Sequence, residues 1–322
     1  MNYAPPVSTS LSVNPAGCPW HILGAGSLGG LWATRLFSAG IPVRLILRNA
    51  RQRDAYLGVG GMTLTSADAQ CTHSIPAETI EDQAPIRRLL VACKAYDAEP
   101  AARSLASRIQ PGAEILLLQN GIGSQDAVAS ALPHARCMAA SSTEGAFRTQ
   151  PFCVQAAGKG MNWIGDLHPR NDRPDALLAD LAAAAIPAQW TEDIHDRLWR
   201  KLALNCAINP LTVLHDCSNG GLRQHASSVR ALCEELVVLL LSTPYPAAAH
   251  GLLAETERVI DATALNISSM LQDARAGRRT EISYLLGQAC ATAQRLGIPT
   301  PVLDETYDQL RLDLVARGLP PH

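Results

Sequence analysis

The residues HILGAGSLGGLW, 21–32, indicate the fold of the first half of the chain. Its apolar beginning is typical of a short buried strand, and its end is typical of a helix. Between them, Gly24, Gly26 and Gly29 form the pattern Gly-x-Gly-x-x-Gly. Alone, this pattern matches many glycine turns, but between a strand and a helix it is typical of a turn that binds a dinucleotide pyrophosphate. A plain strand-to-helix turn is the alternative.

Short apolar runs and helical segments alternate from residue 20 to about residue 165. Two of the helical segments are expected at 27–39 and 97–109, each after an apolar run. This alternation predicts a parallel sheet with crossover helices. Beyond about residue 188 the runs typical of strands disappear, and apolar residues between 282 and 296 recur with helical spacing. We therefore predict an α/β fold with a flexible extension at 1–17, a Rossmann-type dinucleotide-binding domain at 18–188 and an all-α domain at 189–322.

Composition excludes several classes of protein. Among 322 residues, 27 Lys and Arg stand against 29 Asp and Glu, so the net charge of −2 gives no basis for binding nucleic acid or an anionic membrane. The nine cysteines include no Cys-x-x-Cys pair, which favours reduced thiols over disulfides or a metal site. Residues 1–17 lack the features of a signal peptide, and the longest apolar run, 236–241, is too short to span a bilayer. We expect a soluble, cytoplasmic protein without a metal.

The residue after the second predicted strand, VRLIL at 43–47, indicates which dinucleotide binds. A carboxylate there would bind the ribose hydroxyls of NADH, but this chain has Arg48, followed closely by Arg51 and Arg53. Because a guanidinium suits a 2′-phosphate, we predict NADPH as the cofactor. A cluster of solvated surface arginines is the alternative.

Two further polar residues follow predicted strands. Lys94 ends the run LLVACK, and Asn120 ends ILLLQN, just before a glycine. Both should lie at the carboxyl edge of the sheet, where such folds bind ligands. Each also has a plain explanation, since a lysine at a strand end can reach water and Asn-Gly is an ordinary turn. Their position beside a nucleotide fold favours a functional role for both.

The segment WRKLALNCAINPLT, residues 199–212, is expected to form a helix that runs into a proline. Lys201, Asn205 and Asn209 recur at every fourth position and therefore share one stripe of that helix. An amphipathic helix with its polar side in water is the plain alternative. Asn, however, is a poor helix former, and its amide suits the binding of a polar ligand. We interpret the stripe as one wall of a ligand site.

A second segment, NISSMLQDARAGRRTEI at 266–282, places Ser269 twelve residues before Glu281. Glu281 is expected at the start of the last amphipathic helix, and a turn containing glycine separates it from Ser269. A charge favoured by the helix dipole and a capping serine are the plain alternatives.

Several motifs occur in the order found in one family. The glycine turn is followed by KAYD, QNGIG, LWRKLALNCAINPLT, CSNGGL, NISSMLQDARAGRRTEI and RLGIPTP. By these motifs the chain resembles the ketopantoate reductases (2-dehydropantoate 2-reductases) from about residue 19 onwards. NISSMLQD is the most specific of them. The segment STPYPAAAHG at 242–251 departs from the family pattern, but no expected site residue lies within it.

The resemblance implies a set of site residues. The cofactor would be held by Gly24, Ala25, Gly26, Ser27, Leu28, Gly29, Arg48, Lys94, Asn120, Ala146 and Glu281. The substrate would be held by Asn120, Lys201, Asn205, Asn209, Asn219, Ser269, Met270, Leu271 and Gln272. Lys201 and Glu281 would be catalytic, with Lys201 as the proton donor. The resemblance also implies reduction of 2-dehydropantoate with NADPH in pantothenate biosynthesis, a small-molecule substrate as the partner, and a homodimer as a possible assembly.

Two other functions stay open: a reductase of another branched 2-oxo acid, and a non-catalytic NADP-binding sensor. Reduction of a 2-oxo acid requires a proton for the developing alkoxide, which Lys201 can supply. A sensor would need the glycine turn but no proton donor, so Lys201 and Glu281 together favour an enzyme. Burial would lower the pKa of Lys201 and Glu281 would raise it, and the sequence leaves the balance open.

Overall fold

A computed structural model describes residues 18–67, 69–158 and 160–322, so the extension predicted at 1–17 lies outside the described residues. The strands are β1 (Trp20–Leu23), β2 (Val43–Leu47), β3 (Met62–Thr65), β4 (Gln70–His73), β5 (Ala77–Thr79), β6 (Ile86–Val91), β7 (Ile109–Leu117), β8 (Arg136–Ser142), β9 (Gly145–Gln150), β10 (Cys153–Gly158), β11 (Asn162–Asp166) and β12 (Ala188–Trp190). The helices among them are α1 (Ser27–Ser38), α2 (Ala50–Gly58), α3 (Ala95–Ser104), α4 (Ser124–Ala131) and α5 (Asp175–Ala183).

Eight strands form the central sheet, in the order β12-β11-β8-β7-β6-β1-β2-β5. Neighbouring strands are parallel except β11, which runs antiparallel to β8. Both faces of the sheet are buried: Leu90 and Leu116 pack in one core, while Leu89 and Ile115 pack in the other. This double burial explains why the strands read as continuous apolar runs rather than as alternating patterns. The predicted Rossmann-type domain is confirmed.

A second sheet, not predicted, has the strand order β4-β3-β10-β9 and packs against α1. A Cβ added at Gly30 on α1 would lie 2.7 Å from Val154 Cγ2 and 3.2 Å from Met62 Sδ, so a glycine allows this close packing. The strands of this sheet escaped prediction because much of their length is exposed and polar, as in β4, whose sequence is QCTH.

The helix predicted at 97–109 is wrong in its bounds, since α3 begins at Ala95 and ends at Ser104. The helical spacing continued to Leu105 and Ile109, but these two residues serve different elements. Leu105 is the C-cap of α3 and packs in the core, whereas Ile109 begins β7 and pairs with Ile86. Pairing in the sheet therefore overrides the local helical pattern.

The second half of the chain is helical, as predicted. Its helices are α6 (Ile194–Leu214), α7 (Ala226–Leu241), α8 (Leu252–Ala262), α9 (Ser269–Arg275), α10 (Leu286–Leu296) and α11 (Pro301–Ala316), with 3-10 turns at Asn219–His225, Pro246–Ala249 and Ile282–Tyr284. The central helix is α6, which packs against α7, α8, α9 and α11. Among the described residues, no helix is long and apolar enough to cross a membrane.

The proline in the predicted helix at 199–212 does not end it, because α6 continues through Pro210 to Leu214. A proline inside a helix costs about 3 kcal/mol or more, since it removes one hydrogen bond and crowds the preceding turn. Beyond it, Leu211 and Val213 are buried in the helical core. The Thr212 hydroxyl donates to the carbonyl of Asn209, at 2.7 Å. Packing of the last turn therefore outweighs the local penalty.

The expectation that Glu281 begins the last amphipathic helix is also wrong. Glu281 precedes a 3-10 turn, α10 starts five residues later at Leu286, and α11 follows α10. The helix is interrupted at Leu285, whose φ of −108° and ψ of −95° are not helical. At this break the carbonyl of Tyr284 accepts a hydrogen bond from the N–H of Ile122 in the first domain, at 3.1 Å. Contact between the two halves thus fixes the chain around Glu281.

The two halves are also joined through α6. Its first turns place Ile194 and Leu198 in the core beneath the central sheet. One turn later, Leu202 and Cys206 belong to the core of the helical half. The polar stripe of α6 therefore begins where the two cores meet.

Candidate active site

The glycine turn lies tightly against the end of β6. Gly24 has a φ of +111°, and a Cβ there would lie 2.6 Å from the nitrogen of Cys93. A Cβ at Gly29 would lie 2.0 Å from the carbonyl oxygen of Gly24, so α1 can approach β1 only with a glycine at that position. Within the turn, Ala25 and Leu28 pack against the core and Ser27 begins α1. Two of the three glycines are therefore required by the packing of the turn itself.

Gly26 is different, because the nearest atom to a Cβ there would be the Ala92 carbonyl oxygen, at 3.9 Å. Gly26 caps α1 without a side-chain hydrogen bond, and the first turn of α1 contains no acidic residue. A side chain at Gly26 would thus meet open space, so packing does not require this glycine. The start of a helix with open space before it fits an anionic group such as a pyrophosphate.

Arg48 lies beyond the end of β2, and its side chain is 74% exposed. Its guanidinium nitrogen Nη2 lies 3.2 Å from Oδ2 of Asp97, in the first turn of α3. Because β1 lies between β2 and β6, this ion pair spans the end of the strand that leads into the glycine turn. The expected arginine is therefore at the carboxyl edge of the sheet, next to the glycine turn.

Lys94 connects the sheet to the helical half. It is the N-cap residue of α3, and its Nζ lies 2.6 Å from Oδ2 of Asp273 and 3.2 Å from Oε2 of Glu281. The other oxygen of Glu281 accepts a hydrogen bond from the N–H of Ala95, at 3.0 Å. Burial lowers the pKa of Lys94, but the Glu281 and Asp273 carboxylates outweigh it and raise the pKa above its ordinary value. Lys94 is therefore a permanent cation rather than a proton donor.

Asp273 was not predicted as a site residue. Its side chain is 6% exposed, and it also accepts a hydrogen bond from Nε of Arg278, at 2.9 Å. One signal was available, since Asp273 shares the short helix α9 with the apolar residues Met270 and Ala274. A carboxylate among buried positions requires a cationic partner.

Lys201 lies partly buried on α6, and no described residue forms an ion pair or a hydrogen bond with its ammonium group. Burial lowers its pKa to about 8, and the attraction of Glu281 opposes this only in part. The balance that the sequence left open is thus decided by burial. An amine with a pKa near 8 can both carry a charge and release a proton close to neutral pH.

The two asparagines on the same stripe are placed alongside. Asn205 is partly buried and Asn209 is buried, with 7% of its surface exposed. Within the described part of the chain, neither side-chain amide has a hydrogen-bond partner. A polar side of α6 turned to bulk water is excluded for Asn209, because this residue is shielded from solvent. Its amide is free to bind a ligand.

Asn219 opens the 3-10 turn after α6, and it is 8% exposed. Its Nδ2 donates to Oγ1 of Thr263, at 2.8 Å, and its backbone N–H donates to the carbonyl of Asn266. Its Oδ1 is buried and lacks a hydrogen-bond partner among the described residues. The side chain is therefore held by one end, with an unused acceptor at the other.

Two neighbouring serines at the start of α9 differ in their contacts. Ser268 caps the helix by accepting a hydrogen bond from the N–H of Leu271, and its hydroxyl lies 2.6 Å from that of Thr212. Ser269 is exposed and is the first residue of α9. The plain role of a capping serine thus belongs to Ser268, and Ser269 remains available to a ligand.

The other residues expected in this segment are less accessible. Met270 and Leu271 point their side chains into the helical core, so only their backbone groups could reach a ligand. Nε2 of Gln272 donates to the carbonyl of Ile267, at 2.8 Å. This bond ties α9 to the loop before it.

Asn120 follows β7 and is partly buried, beside the contact between Ile122 and Tyr284. Two glutamines that were not predicted hold this region. Gln119 donates to the carbonyls of Val91 and Cys93, at 2.8 and 3.2 Å, which links the ends of β6 and β7. Gln125 donates to the carbonyls of Gln119 and Gly121, at 3.2 and 3.1 Å, on either side of Asn120. The two side chains therefore fix Asn120 relative to the end of β6, which leads to Lys94.

Ala146 lies apart from this arrangement, in β9 of the second sheet. It pairs with Ala156 of β10 and packs beside α1. Its position is near the helix that follows the glycine turn, rather than at the carboxyl edge of the central sheet.

Comparison with known proteins identifies the family. The family model described as Ketopantoate reductase PanE/ApbA matches residues 20–169, and the model of its C-terminal domain matches residues 193–313. The chain belongs to the ketopantoate reductase family. The members of this family are oxidoreductases that use a nicotinamide dinucleotide.

Curated relatives match over most of their length. The chain is 35% identical to a 2-dehydropantoate 2-reductase of Salmonella typhi, over 90% of this chain and 93% of the relative. It is 32% identical to a protein of the same name from Vibrio cholerae, over 90% of this chain and 96% of the relative. These matches include both halves of the chain.

Solved structures share the whole fold. A PanE/ApbA family ketopantoate reductase from Ralstonia eutropha JMP134 has a TM-score of 0.84 at 25% identity and covers 93% of this chain and 99% of its own. A D-mandelate dehydrogenase, solved with NADH and anilino(oxo)acetate, also has a TM-score of 0.84, at 22% identity, and covers 94% of this chain and 100% of its own. Because proteins with different names share the fold, the fold leaves the substrate open.

Proposed function

We propose that this protein is an NADPH-dependent 2-dehydropantoate 2-reductase, which reduces ketopantoate to pantoate for pantothenate biosynthesis in the cytoplasm. The observation that carries the proposal is the Lys201 ammonium. It is partly buried, has no partner among the described residues, and is electrostatically coupled to Glu281, which contacts the edge of the sheet beside the glycine turn. The names of the relatives that match over nine-tenths of the chain support the same substrate.

The cofactor would lie along the carboxyl edge of the sheet. The turn at residues 24–29 would hold its pyrophosphate, Arg48 its 2′-phosphate, and Lys94 and Glu281 would contact it beyond β6. Ala146 would contribute from β9, and Asn120 would lie between cofactor and substrate. When bound, NADPH supplies the hydride that reduces the ketone carbon.

Lys201 would complete the reduction by donating a proton to the oxygen that becomes an alkoxide. Its positive charge would also stabilise the negative charge that develops on this oxygen. A pKa of about 8 leaves most of Lys201 protonated at neutral pH, with a proton that is released more readily than from an ordinary lysine. Glu281, fixed by the N–H of Ala95, would favour the charged form of Lys201 and keep it from losing its proton prematurely.

Uncharged groups would bind the substrate around this lysine. Hydrogen bonds would come from the side chains of Asn205, Asn209, Asn219 and Ser269. The backbone groups of residues 270–272, in the first turn of α9, would add further hydrogen bonds. Asn219 is suited to the substrate hydroxyl, because its buried Oδ1 lacks a partner among the described residues. A 2-oxo acid without that hydroxyl would leave this acceptor unpaired, which is how such a site discriminates between analogues.

The proposal is tested by following the oxidation of NADPH by the purified protein with ketopantoate. The comparisons are NADH in place of NADPH, and a branched 2-oxo acid that lacks the hydroxyl in place of ketopantoate. We expect the highest kcat/KM for NADPH with ketopantoate. Equal kcat/KM for several branched acids would overturn the substrate assignment, and cofactor binding without oxidation on any 2-oxo acid would favour a sensor.

A further inference from the structure

The ion pair between Arg48 and Asp97 places a carboxylate where the proposed cofactor would carry its 2′-phosphate. The atoms Nη2 and Oδ2 are 3.2 Å apart, and the side chains are 74% and 40% exposed. Within the described part of the chain, Asp97 is the partner of the Arg48 guanidinium. The pair therefore orients Arg48 across the end of β1, above the glycine turn.

Asp97 has a second source of stability that does not depend on Arg48. It lies in the first turn of α3, where a negative charge is favoured by the helix dipole. Arg48 can therefore exchange the carboxylate of Asp97 for a phosphate ligand, and the helix dipole would still stabilise Asp97. The exposure of both side chains allows this exchange without the burial of a charge.

The carboxylate has opposite consequences for the two kinds of dinucleotide. A 2′-phosphate that binds Arg48 must lie close to the negative charge of Asp97, and the two groups repel each other. A free 2′-hydroxyl meets no such repulsion, since a hydroxyl can donate a hydrogen bond to a carboxylate. Arg48 favours the phosphorylated cofactor, and Asp97 works against that preference.

We propose that Asp97 determines how strongly this protein selects a 2′-phosphorylated dinucleotide, by orienting Arg48 while its own charge opposes the phosphate. This inference rests on the proposed role of Arg48. Its consequence is a preference for NADPH that is weaker than Arg48 alone would produce, so that NADH remains a usable second cofactor.

Calorimetric binding of two mononucleotides to the intact protein tests the proposal without turnover. Adenosine 2′,5′-bisphosphate and adenosine 5′-monophosphate differ only in the 2′-phosphate. The variant Asp97→Asn removes the charge but keeps an acceptor for Arg48. We expect it to lower the Kd of the bisphosphate by about three- to tenfold, the scale for screened charges at the surface, with less than a twofold change for the monophosphate. This gain should shrink at high salt.

Three variants separate the explanations. Asp97→Glu keeps the charge and should retain the original ratio of the two Kd values. Asp126→Asn removes a matching exposed carboxylate from the first turn of α4, which pairs with no described arginine, and should also leave the ratio unchanged. Arg48→Gln should weaken binding of the bisphosphate alone.

Each contrary result has a definite meaning. If Asp97→Asn leaves the ratio of Kd values unchanged or favours the monophosphate, while Arg48→Gln weakens only the bisphosphate, the inference is wrong and the role of Arg48 stands. An equal gain for both nucleotides, or the same gain in Asp126→Asn, would reduce the effect to net charge and overturn the inference. Equal losses for both nucleotides in Arg48→Gln would overturn the cofactor assignment and the inference with it.

Discussion

At the scale of single residues, Lys201 is unusual because its ammonium group forms no ion pair or hydrogen bond with any described residue. The neighbouring cation at the junction of the two halves, Lys94, is paired with Asp273 and Glu281. Lys201 has a lowered pKa and no partner among the described residues. A charge that is partly buried without a partner lowers stability, so its presence is better explained by chemistry than by folding.

The variant Lys201→Met tests the chemical role, and Lys201→Arg is its matched control. A guanidinium keeps the positive charge but does not release a proton near neutral pH. We expect both variants to lower kcat by about 100- to 10,000-fold, the usual scale for a general acid, with a larger rise in KM for methionine than for arginine. Steady-state kinetics on the folded variants provide the measurement. A kcat for Lys201→Arg within about tenfold of the original would limit Lys201 to electrostatic binding.

The rate of reduction should also depend on the protonation of Lys201. Only the charged amine can donate a proton, so kcat/KM should fall as the pH rises through about 8, the lowered pKa of this residue. Below that pH the group is charged and this dependence should level off. The pH profile of ketopantoate reduction is the measurement, and a profile that stays flat up to the ordinary lysine pKa of 10.5 would contradict the assignment.

The same lowered pKa predicts a gain in stability when Lys201 is replaced by methionine. Folding lowers the pKa from 10.5 to about 8, so the folded protein bears an unfavourable buried charge below pH 8. This penalty decreases between pH 8 and pH 10.5, where the unfolded chain holds more protons than the folded protein. Above pH 10.5 the penalty is absent, because Lys201 is neutral in both states. Lys201→Met should therefore stabilise the protein by about 1–3 kcal/mol at neutral pH.

Unfolding in denaturant at several pH values measures this effect. The gain should be largest below pH 8 and should disappear towards pH 10.5. A variant that is less stable than the original at neutral pH would mean that the amine has stabilising contacts in the folded state.

At the scale of elements, the start of α9 contains two adjacent serines for which we expect different roles, one in structure and one in binding. Ser268 caps the helix and contacts Thr212 of α6, whereas Ser269 is exposed. Ser268→Ala should destabilise the protein by about 0.5–2 kcal/mol, the usual cost of a lost N-cap. Ser269→Ala should leave stability within about 0.5 kcal/mol and instead raise the KM for the substrate.

Thermal unfolding and steady-state kinetics on both variants give the comparison. A loss of stability in Ser269→Ala together with an unchanged KM would reverse the roles of the two serines.

The elements also show which parts of the site could be predicted from sequence. The glycine turn, Lys94 and Asn120 were predictable because each follows its own buried strand within a few residues. The role of Asp273 was not, since its partner Lys94 lies 179 residues away in the chain. Gln119 and Gln125 donate hydrogen bonds to backbone carbonyls. Every residue has a backbone carbonyl, so the sequence does not indicate which ones accept these bonds. The second sheet was missed because its exposed strands lack an apolar run.

At the scale of the whole molecule, the cation Lys94 helps to connect the two halves. Lys94 comes from the edge of the sheet, while Asp273 and Glu281, both 6% exposed, come from the helical half. The Glu281 carboxylate also binds the N–H of Ala95, so the residue coupled to Lys201 is positioned by the first domain. The relative placement of the halves and the electrostatics of Lys201 are therefore set by the same group of side chains.

Removal of this cation should destabilise the protein in a way that depends on pH. In Lys94→Met, the Asp273 and Glu281 carboxylates would remain buried without their ammonium partner. Because Lys94 is 35% exposed, water can replace part of its charge, and we expect a loss of about 1–3 kcal/mol at neutral pH rather than the larger loss of a fully buried pair. The raised pKa of Lys94 means that its contribution is fully present at neutral pH and is lost as the pH rises above 10.5.

The loss in Lys94→Met should therefore be constant around neutral pH and shrink above pH 10.5, where the unfolded chain gives up a proton that the folded protein retains. Thermal unfolding of the two proteins from neutral pH to above pH 10.5 measures this convergence. The double variant Lys94→Met with Glu281→Gln is the matched control: Asp273 keeps Arg278 as its partner, no carboxylate is left without its ion-pair partner, and part of the stability should be recovered at neutral pH. A difference in Tm that stays constant from neutral pH to above pH 10.5 would mean that Lys94 stabilises the junction through packing of its side chain rather than through its charge.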